Sequence, residues 1–169
     1  TYKDTRFSMD TTISIEATGQ NNEQVKTAVD NAFRVFQEIA DETDRYKDGS
    51  PKGLYQLNAH AGQGPFTVGS HLLLLADMAH KQNFSEFDIT LAPLIDVWQK
   101  HSTAKTVPDN LEIAASLALT GKDKFSVAPE KQTITLAPGA ALDLGAIAKG
   151  YAVDVAAAVL AEDKDVSFA

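Results

Sequence analysis

Ala140-Ala141-Leu142-Asp143-Leu144-Gly145-Ala146-Ile147-Ala148-Lys149-Gly150-Tyr151-Ala152-Val153-Asp154 decides the reading of this chain. It reads as a short apolar strand, a glycine turn and then a helix. Pro138 and Gly139 punctuate its start. Leu142 and Leu144 flank Asp143 in strand alternation, which puts the carboxylate on the opposite face from the two leucines. Gly145 suits a tight turn. A helix beginning just after such a turn presents unpaired backbone N–H groups and the positive end of its dipole, a combination that favours an anion such as phosphate. Lys149 adds positive charge, and Gly150 leaves room for a ligand to approach the backbone. The stretch contains neither G-x-G-x-x-G nor G-x-x-x-x-G-K-[ST], so it is not a Rossmann fingerprint or a Walker loop.

The chain around it has ordinary globular composition, with 169 residues, 44% hydrophobic and 22% charged, sufficient for one sizeable core. A net charge of −8, with no basic cluster, argues against nucleic acid as a partner. No apolar run approaches the roughly 20 residues that span a bilayer. The longest, Leu72-Leu73-Leu74-Leu75-Ala76, reads as one face of a buried helix. Cysteine is absent, which excludes disulfides, thiolate metal sites and a cysteine nucleophile. The four histidines, His60, His71, His80 and His101, form no H-E-x-x-H or other close metal pair. There is no G-x-S-x-G elbow to anchor serine-hydrolase chemistry.

Taken outward from the central stretch, the pattern alternates strands and helices. Residues 6–16 are rich in strand formers, and Ile13 and Ile15 alternate with Thr12, Ser14 and Glu16, which predicts one strand with a wet face. Asn22 is expected to cap a long helix running to about Asp44, with Val25, Val29, Ala32, Phe33, Phe36 and Ile39 at helical spacing. Residues 44–58 read as a loop. Phe66-Thr67-Val68 is a short apolar piece, and Ser70 is expected to cap a helix from about His71 to Gln82. Asp88 or Thr90 is a candidate cap for a helix holding Leu94 and Trp98. Asp109 or Asn110 is expected to start a third helix, Leu111 to Leu119. Residues 124–127 and 132–136 predict a hairpin, and a last strand covers 165–169. The hairpin argues against a purely parallel sheet, so the expected class is α+β, a mixed or antiparallel sheet flanked by helices.

Asp143-Leu144-Gly145-Ala146-Ile147-Ala148-Lys149-Gly150-Tyr151-Ala152-Val153-Asp154 resembles the signature of the ApbE family, D-[LF]-G-[GA]-[IV]-[AG]-[KE]-G-[YW]-A-x-D. Three further segments resemble that family in the same order. Met9-Asp10-Thr11 stands where members carry Met-Gly-Thr. Residues 44–58 are similar to S-x-[YF]-x-x-x-S-x-[IL]-x-x-[LF]-N, with Tyr46 and Asn58 at the aromatic and asparagine positions. Residues 83–98 are similar to G-x-F-D-[PI]-[TA]-[VI]-x-P-L-[VI]-x-x-W.

The resemblance implies a T-fold-like α+β unit, of which residues 1–169 are the N-terminal portion. It implies FAD:protein FMN transferase activity, moving FMN from FAD to a Thr or Ser of an acceptor protein with loss of AMP and dependence on Mg²⁺. It places Met9, Tyr46, Glu86, Phe87, Asp88, Asp143 and Lys149 against FAD, and the Ala146 carbonyl on the metal. Each residue also has a plainer reading: Met9 as core filler, Tyr46 as a surface aromatic, Asp88 and Asp143 as helix caps, Lys149 as a solvated charge. The remaining metal ligands and main catalytic residues are expected beyond residue 169. The resemblance further implies an acceptor in a respiratory or redox complex, and export to the periplasmic or extracellular face of a bacterial membrane, often on an N-terminal lipid anchor. A module that binds FAD without transfer, or hydrolyses it to FMN and AMP, is the alternative.

Overall fold

The computed structural model describes residues 1–82 and 86–168. Asn83, Phe84 and Ser85, which open the third similar segment, and Ala169 of the last predicted strand lie outside the described residues. The chain divides into two compact units, one of Thr1–Asp41 with Gly145–Ala169 and one of Glu42–Leu144.

The first unit begins with two antiparallel strands, β1 (Tyr2–Ser8) and β2 (Thr11–Gly19), rather than one strand over 6–16. The break falls at Met9 and Asp10, whose φ angles of 53° and 57° make a two-residue turn. Such a left-handed pair follows the twist of a hairpin, and the usual Asn-Gly signal is absent, so the sequence hid it. β2 shows the expected alternation: Ile15 and Ala17 are buried while Ser14, Glu16 and Thr18 face out.

Helix α1 (Asn22–Thr43) follows. Its cap is Asn21, not Asn22: the Asn21 side-chain oxygen accepts from the N–H groups of Glu23 (3.0 Å) and Gln24 (3.3 Å). Val25, Val29, Ala32, Phe33, Phe36 and Ile39 are buried in one cluster with Ile15, Ala17 and the inner face of α6 (Ala148–Ala161), from Ala152 to Leu160. Ile39 is fully buried, and truncating such a side chain to alanine costs about 2–5 kcal/mol. β6 (Val166–Phe168) pairs antiparallel with β2 and completes a sheet in the order β1-β2-β6.

The second unit holds α2 (Leu54–Ala59), β3 (Pro65–Thr67), α3 (Ser70–Lys81), α4 (Ala92–Ala104), α5 (Asn110–Leu117), β4 (Phe125–Ala128) and β5 (Thr133–Leu136). Helix α2 lies within the predicted loop. Leu54 and Leu57, three apart, are its buried pair. The predicted hairpin is present as β4 and β5, and β3 adds to β5 in the order β3-β5-β4, all antiparallel. α5 begins with an Asp109–Glu112 capping box, as expected for Asp109.

Ser70 does not cap α3. The Glu42 carboxylate does, accepting from His71 N–H (2.9 Å) and Leu72 N–H (3.1 Å). Gly69 makes this approach possible, since a Cβ there would lie 2.2–2.4 Å from the Glu42 carboxyl group. The expected α+β class is present, and its sheets are antiparallel rather than mixed.

Candidate functional site

The second unit gathers a polar constellation around Arg45. The chain leaves α1 through an Asx turn, in which the Asp44 carboxylate accepts from Tyr46 N–H (2.7 Å) and Lys47 N–H (3.2 Å). This turn presents Arg45 and Tyr46. Arg45 is nearly sealed, with 7% of its side chain exposed. Its Nε donates to Asp143 at 2.6 Å and its Nη2 to Asp96 at 2.8 Å. Nη2 also donates to the Tyr46 hydroxyl, and the guanidinium carbon sits 4.2 Å from the centroid of the Tyr46 ring. Gln99 donates to the same hydroxyl at 2.9 Å. Asp96 and Gln99 are three apart on α4, so one helix face supplies both.

Burial works against the charged form of Arg45, but the hydrogen bond and charge of Asp96, with Tyr46 and Asp143, outweigh it. The Arg45 pKa therefore lies above its ordinary value. A permanently charged guanidinium holds both carboxylates through two nitrogens of one rigid fork, which a lysine lacks. Tyr46 as a residue remains 57% exposed while its hydroxyl is tied down. It is a rigid, half-open aromatic face.

Asp143 is held from behind as well. Residues 140–144 carry no regular secondary structure and pair with no strand among the described residues, contrary to the predicted strand. The Asn58 side chain takes the place of a strand partner: it donates to the Leu142 carbonyl (3.0 Å) and accepts from Leu142 N–H (2.9 Å). Asp143 N–H donates to the Ile89 carbonyl at 2.7 Å. The alternation is as read: Leu142 and Leu144 are buried, and the Asp143 side chain is 22% exposed. Asp143 caps no helix, since α6 starts at Ala148 with Ile147 in the cap position and no side-chain cap.

The 86–90 segment meets this cluster through Ile89. Asp88 Oδ1 accepts from the Thr90 hydroxyl and from Thr90 N–H (2.7 Å). Thr90 is fully buried, and its hydroxyl oxygen accepts from Gly121 N–H at 2.6 Å. Neither residue caps α4, whose cap position is Leu91 without a side-chain bond. Instead they lock the loop that precedes it. Phe87 is half-buried and Glu86 exposed in the same loop.

Thus the second unit brings Tyr46 and Asp143 together through Arg45 and places Asp88 one residue from the Ile89 contact. Met9, Ala146 and Lys149 belong to the first unit. Met9 occupies the β1–β2 turn and packs against the core cluster, in keeping with its plainer reading. Ala146 is exposed in the turn at 145–147, and Lys149 Nζ donates to the Gly145 carbonyl at 3.3 Å. The positive φ in this stretch belongs to Gly139, at 76°. A Cβ on Gly150 would meet open space, and the first turn of α6 has no side-chain cap, so backbone N–H groups are presented there.

Sequence reasoning missed Arg45, Asp96 and Gln99. Nothing in local spacing links position 45 to positions 96 and 143. Among the described residues no group of three or more His, Asp or Glu side chains is placed to hold a metal ion. His60 and His80 instead pack on Phe66 and Phe125, with ring centroids 5.1 and 4.9 Å apart.

Residues 9–168 match the ApbE family. The chain belongs to the ApbE family. Among curated ApbE relatives, the FAD:protein FMN transferase of Klebsiella pneumoniae (strain 342) is 35% identical over 132 residues, 73% of this chain and 40% of the relative. That of Vibrio cholerae serotype O1 is 30% identical over 138 residues, 78% of this chain and 40% of the relative. A crystallised variant of the flavin transferase ApbE from Vibrio cholerae superposes with a TM-score of 0.84 and 26% identity, covering 100% of this chain and 60% of that one. The crystal structure of the ApbE protein from Thermotoga maritima, at 24% identity and TM-score 0.82, covers 98% of this chain and 54% of that one, and shares the fold. The chain thus spans about 40% of the length of the curated ApbE relatives it matches.

Proposed function

We propose that this chain forms part of an FAD:protein FMN transferase, and that the Arg45-centred cluster is where it meets the flavin nucleotide. The observation that carries this reading is the arrangement of Arg45 between Asp143 and Tyr46, which leaves a fixed aromatic face beside a fixed carboxylate. Names borne by the relatives support the reaction class. In the reaction proposed, a Thr or Ser hydroxyl of an acceptor protein attacks the FMN-side phosphorus of the FAD pyrophosphate. A new P–O bond forms to the acceptor as its hydroxyl proton passes to solvent, the anhydride P–O bond breaks, and AMP leaves. Such transfer depends on positioning and on neutralising developing negative charge.

The roles follow from the chemistry of each side chain. Tyr46 and Phe87 offer planar faces to a planar ring. Glu86, Asp88 and Asp143 accept hydrogen bonds from ring N–H or amino groups of the isoalloxazine and adenine. For Met9 the reading rests on its match to the family's Met-Gly-Thr position. Lys149 and the uncapped first turn of α6 carry the positive charge and N–H donors that a phosphate takes. Mg²⁺ belongs to the proposal, and the Ala146 carbonyl is a hard oxygen of the type it prefers. One carbonyl is a small part of an octahedral shell, and the described residues offer no acidic cluster beside it.

The proposed setting is the periplasm or outer face of a bacterial membrane, on a lipid anchor, with an acceptor in a respiratory or redox complex. Among the described residues no helix is long and apolar enough to cross a membrane. A second reading, FAD binding or hydrolysis without transfer, draws on Asp10, which stands where relatives of the signature carry glycine. One experiment separates the readings: the natural full-length protein is incubated with FAD, Mg²⁺ and an acceptor bearing the target Thr or Ser. A covalent FMN mass on the acceptor with stoichiometric AMP supports transfer. AMP without that mass supports hydrolysis, and neither product leaves binding alone.

A further inference from the structure

We infer that Asn58 is a positioning residue for the nucleotide site, acting through the backbone of Leu142 to set the Asp143 carboxylate. The inference rests on the proposed contact between Asp143 and the flavin nucleotide. Leu142 is fully buried, so its N–H and carbonyl need partners. Among the described residues no strand supplies them. The Asn58 amide supplies both, at 2.9 and 3.0 Å. A backbone N–H only donates and a carbonyl only accepts, so the two partners dictate which end of the amide is which.

Helix α2 gives that amide a firm base, because Leu54 and Leu57 on the same short helix are buried. The next backbone group, Asp143 N–H, is tied to Ile89. The carboxylate beyond it is tied to Arg45. Three anchors from three separate segments thus converge on two residues. Two of them, Arg45 and the Ile89 carbonyl, act on Asp143 itself. Asn58 governs the residue before it, and so the direction in which the Asp143 side chain leaves the backbone. A side chain fixed by packing and by hydrogen bonds behind it holds its reactive atoms in register, and a displacement on the order of 1 Å costs about a hundredfold in rate.

The test is a double-mutant cycle in the natural full-length protein: Asn58→Ala, Asp143→Asn and the double variant. Turnover, KM for FAD and melting temperature are measured for each. Asn58→Ala is expected to lower kcat/KM for FAD by about tenfold to a hundredfold, and to add little further loss once Asp143 is already Asn. Asn58→Asp keeps the shape and the acceptor for Leu142 N–H but turns a carboxylate oxygen on the Leu142 carbonyl. It reads the same cycle if the alanine variant fails to fold.

Losses that multiply independently overturn the inference. So does a lowered melting temperature with unchanged kinetics, which assigns Asn58 a structural role only. An Asp143→Asn variant with wild-type kinetics removes the contact on which the inference rests, and is read from that single variant alone.

Discussion

Arg45 Nε lies 2.6 Å from a carboxylate oxygen of Asp143, across 98 positions of sequence. The same guanidinium reaches Asp96 through Nη2 at 2.8 Å. One buried cation therefore joins the loop after α1 to α4 and to the segment before Gly145. Its removal takes one fixed cation from Asp143, whose side chain is only 22% exposed. Arg45→Met is expected to destabilise the chain by about 2–3 kcal/mol, less than a fully buried pair because Asp96 is half in solvent. Arg45→Lys recovers only part of this, since an ammonium lacks the rigid fork that serves both carboxylates. Urea denaturation of the two variants, with the Asp143→Asn background as the coupling control, checks both statements.

Asp10 is held at φ 57° in the second position of the β1–β2 turn. Non-glycine residues cost about 1 kcal/mol there, and aspartate is among the more tolerant. Asp10→Gly relieves that strain and is expected to raise stability by about 0.5–1 kcal/mol, seen as a higher denaturant midpoint with an unchanged slope. A lower midpoint would show that the Asp10 side chain makes a compensating contact.

Gly69 and Glu42 form a coupled pair. A methyl group at 69 displaces the Glu42 carboxylate from the N–H groups of His71 and Leu72. Gly69→Ala and Glu42→Ala are each expected to cost about 1–2 kcal/mol, the worth of a helix cap. Together they cost little more than one alone, because both remove the same two hydrogen bonds. Chemical denaturation of the four-member cycle measures the coupling.

Glu112 gives the α4–α5 junction a pH dependence. The Lys100 hydrogen bond and then the Asp109 N–H hold its pKa below the ordinary 4.5; slight desolvation opposes them, and the charges of His101 and Lys100 add to the lowering. A depressed carboxyl pKa stabilises the fold above the unfolded value and loses that contribution as pH falls through the folded value. Glu112→Gln is therefore expected to lower the melting temperature at pH 7. The gap to the parent should close progressively below pH 4.5. Melting curves from pH 7 to pH 3 read this directly, and a gap independent of pH would contradict it.

Much of the fold was legible because periodicity is local. The leucines at 142 and 144 and the carboxylate between them fall on the faces that alternation demands. The 125–136 hairpin and the apolar stripe of α1 were readable for the same reason. The site was legible in its parts but not in its assembly. Tyr46 and Asp143 were both singled out, yet the residue that joins them stood unremarked beside Tyr46, since ion pairs across 51 and 98 positions leave no trace in spacing. Helix α2 was hidden by the glycines and prolines around it, with only Leu54 and Leu57 to mark it. The segment at 142–144 looked like a strand because extended backbone with alternating burial is all that sequence reports. A side-chain amide, rather than a second strand, satisfies it here.

The central claim is that the Arg45 cluster meets the flavin nucleotide, and FAD titration tests it most directly. The natural full-length protein and its Asp143→Asn and Tyr46→Ala variants are titrated with FAD, following flavin fluorescence, with circular dichroism confirming the fold of each. The account predicts saturable binding by the parent and a loss of about tenfold in affinity for each variant, the worth of one good hydrogen bond or stacking contact. Unchanged affinity in both folded variants, or no binding by the parent, would contradict it.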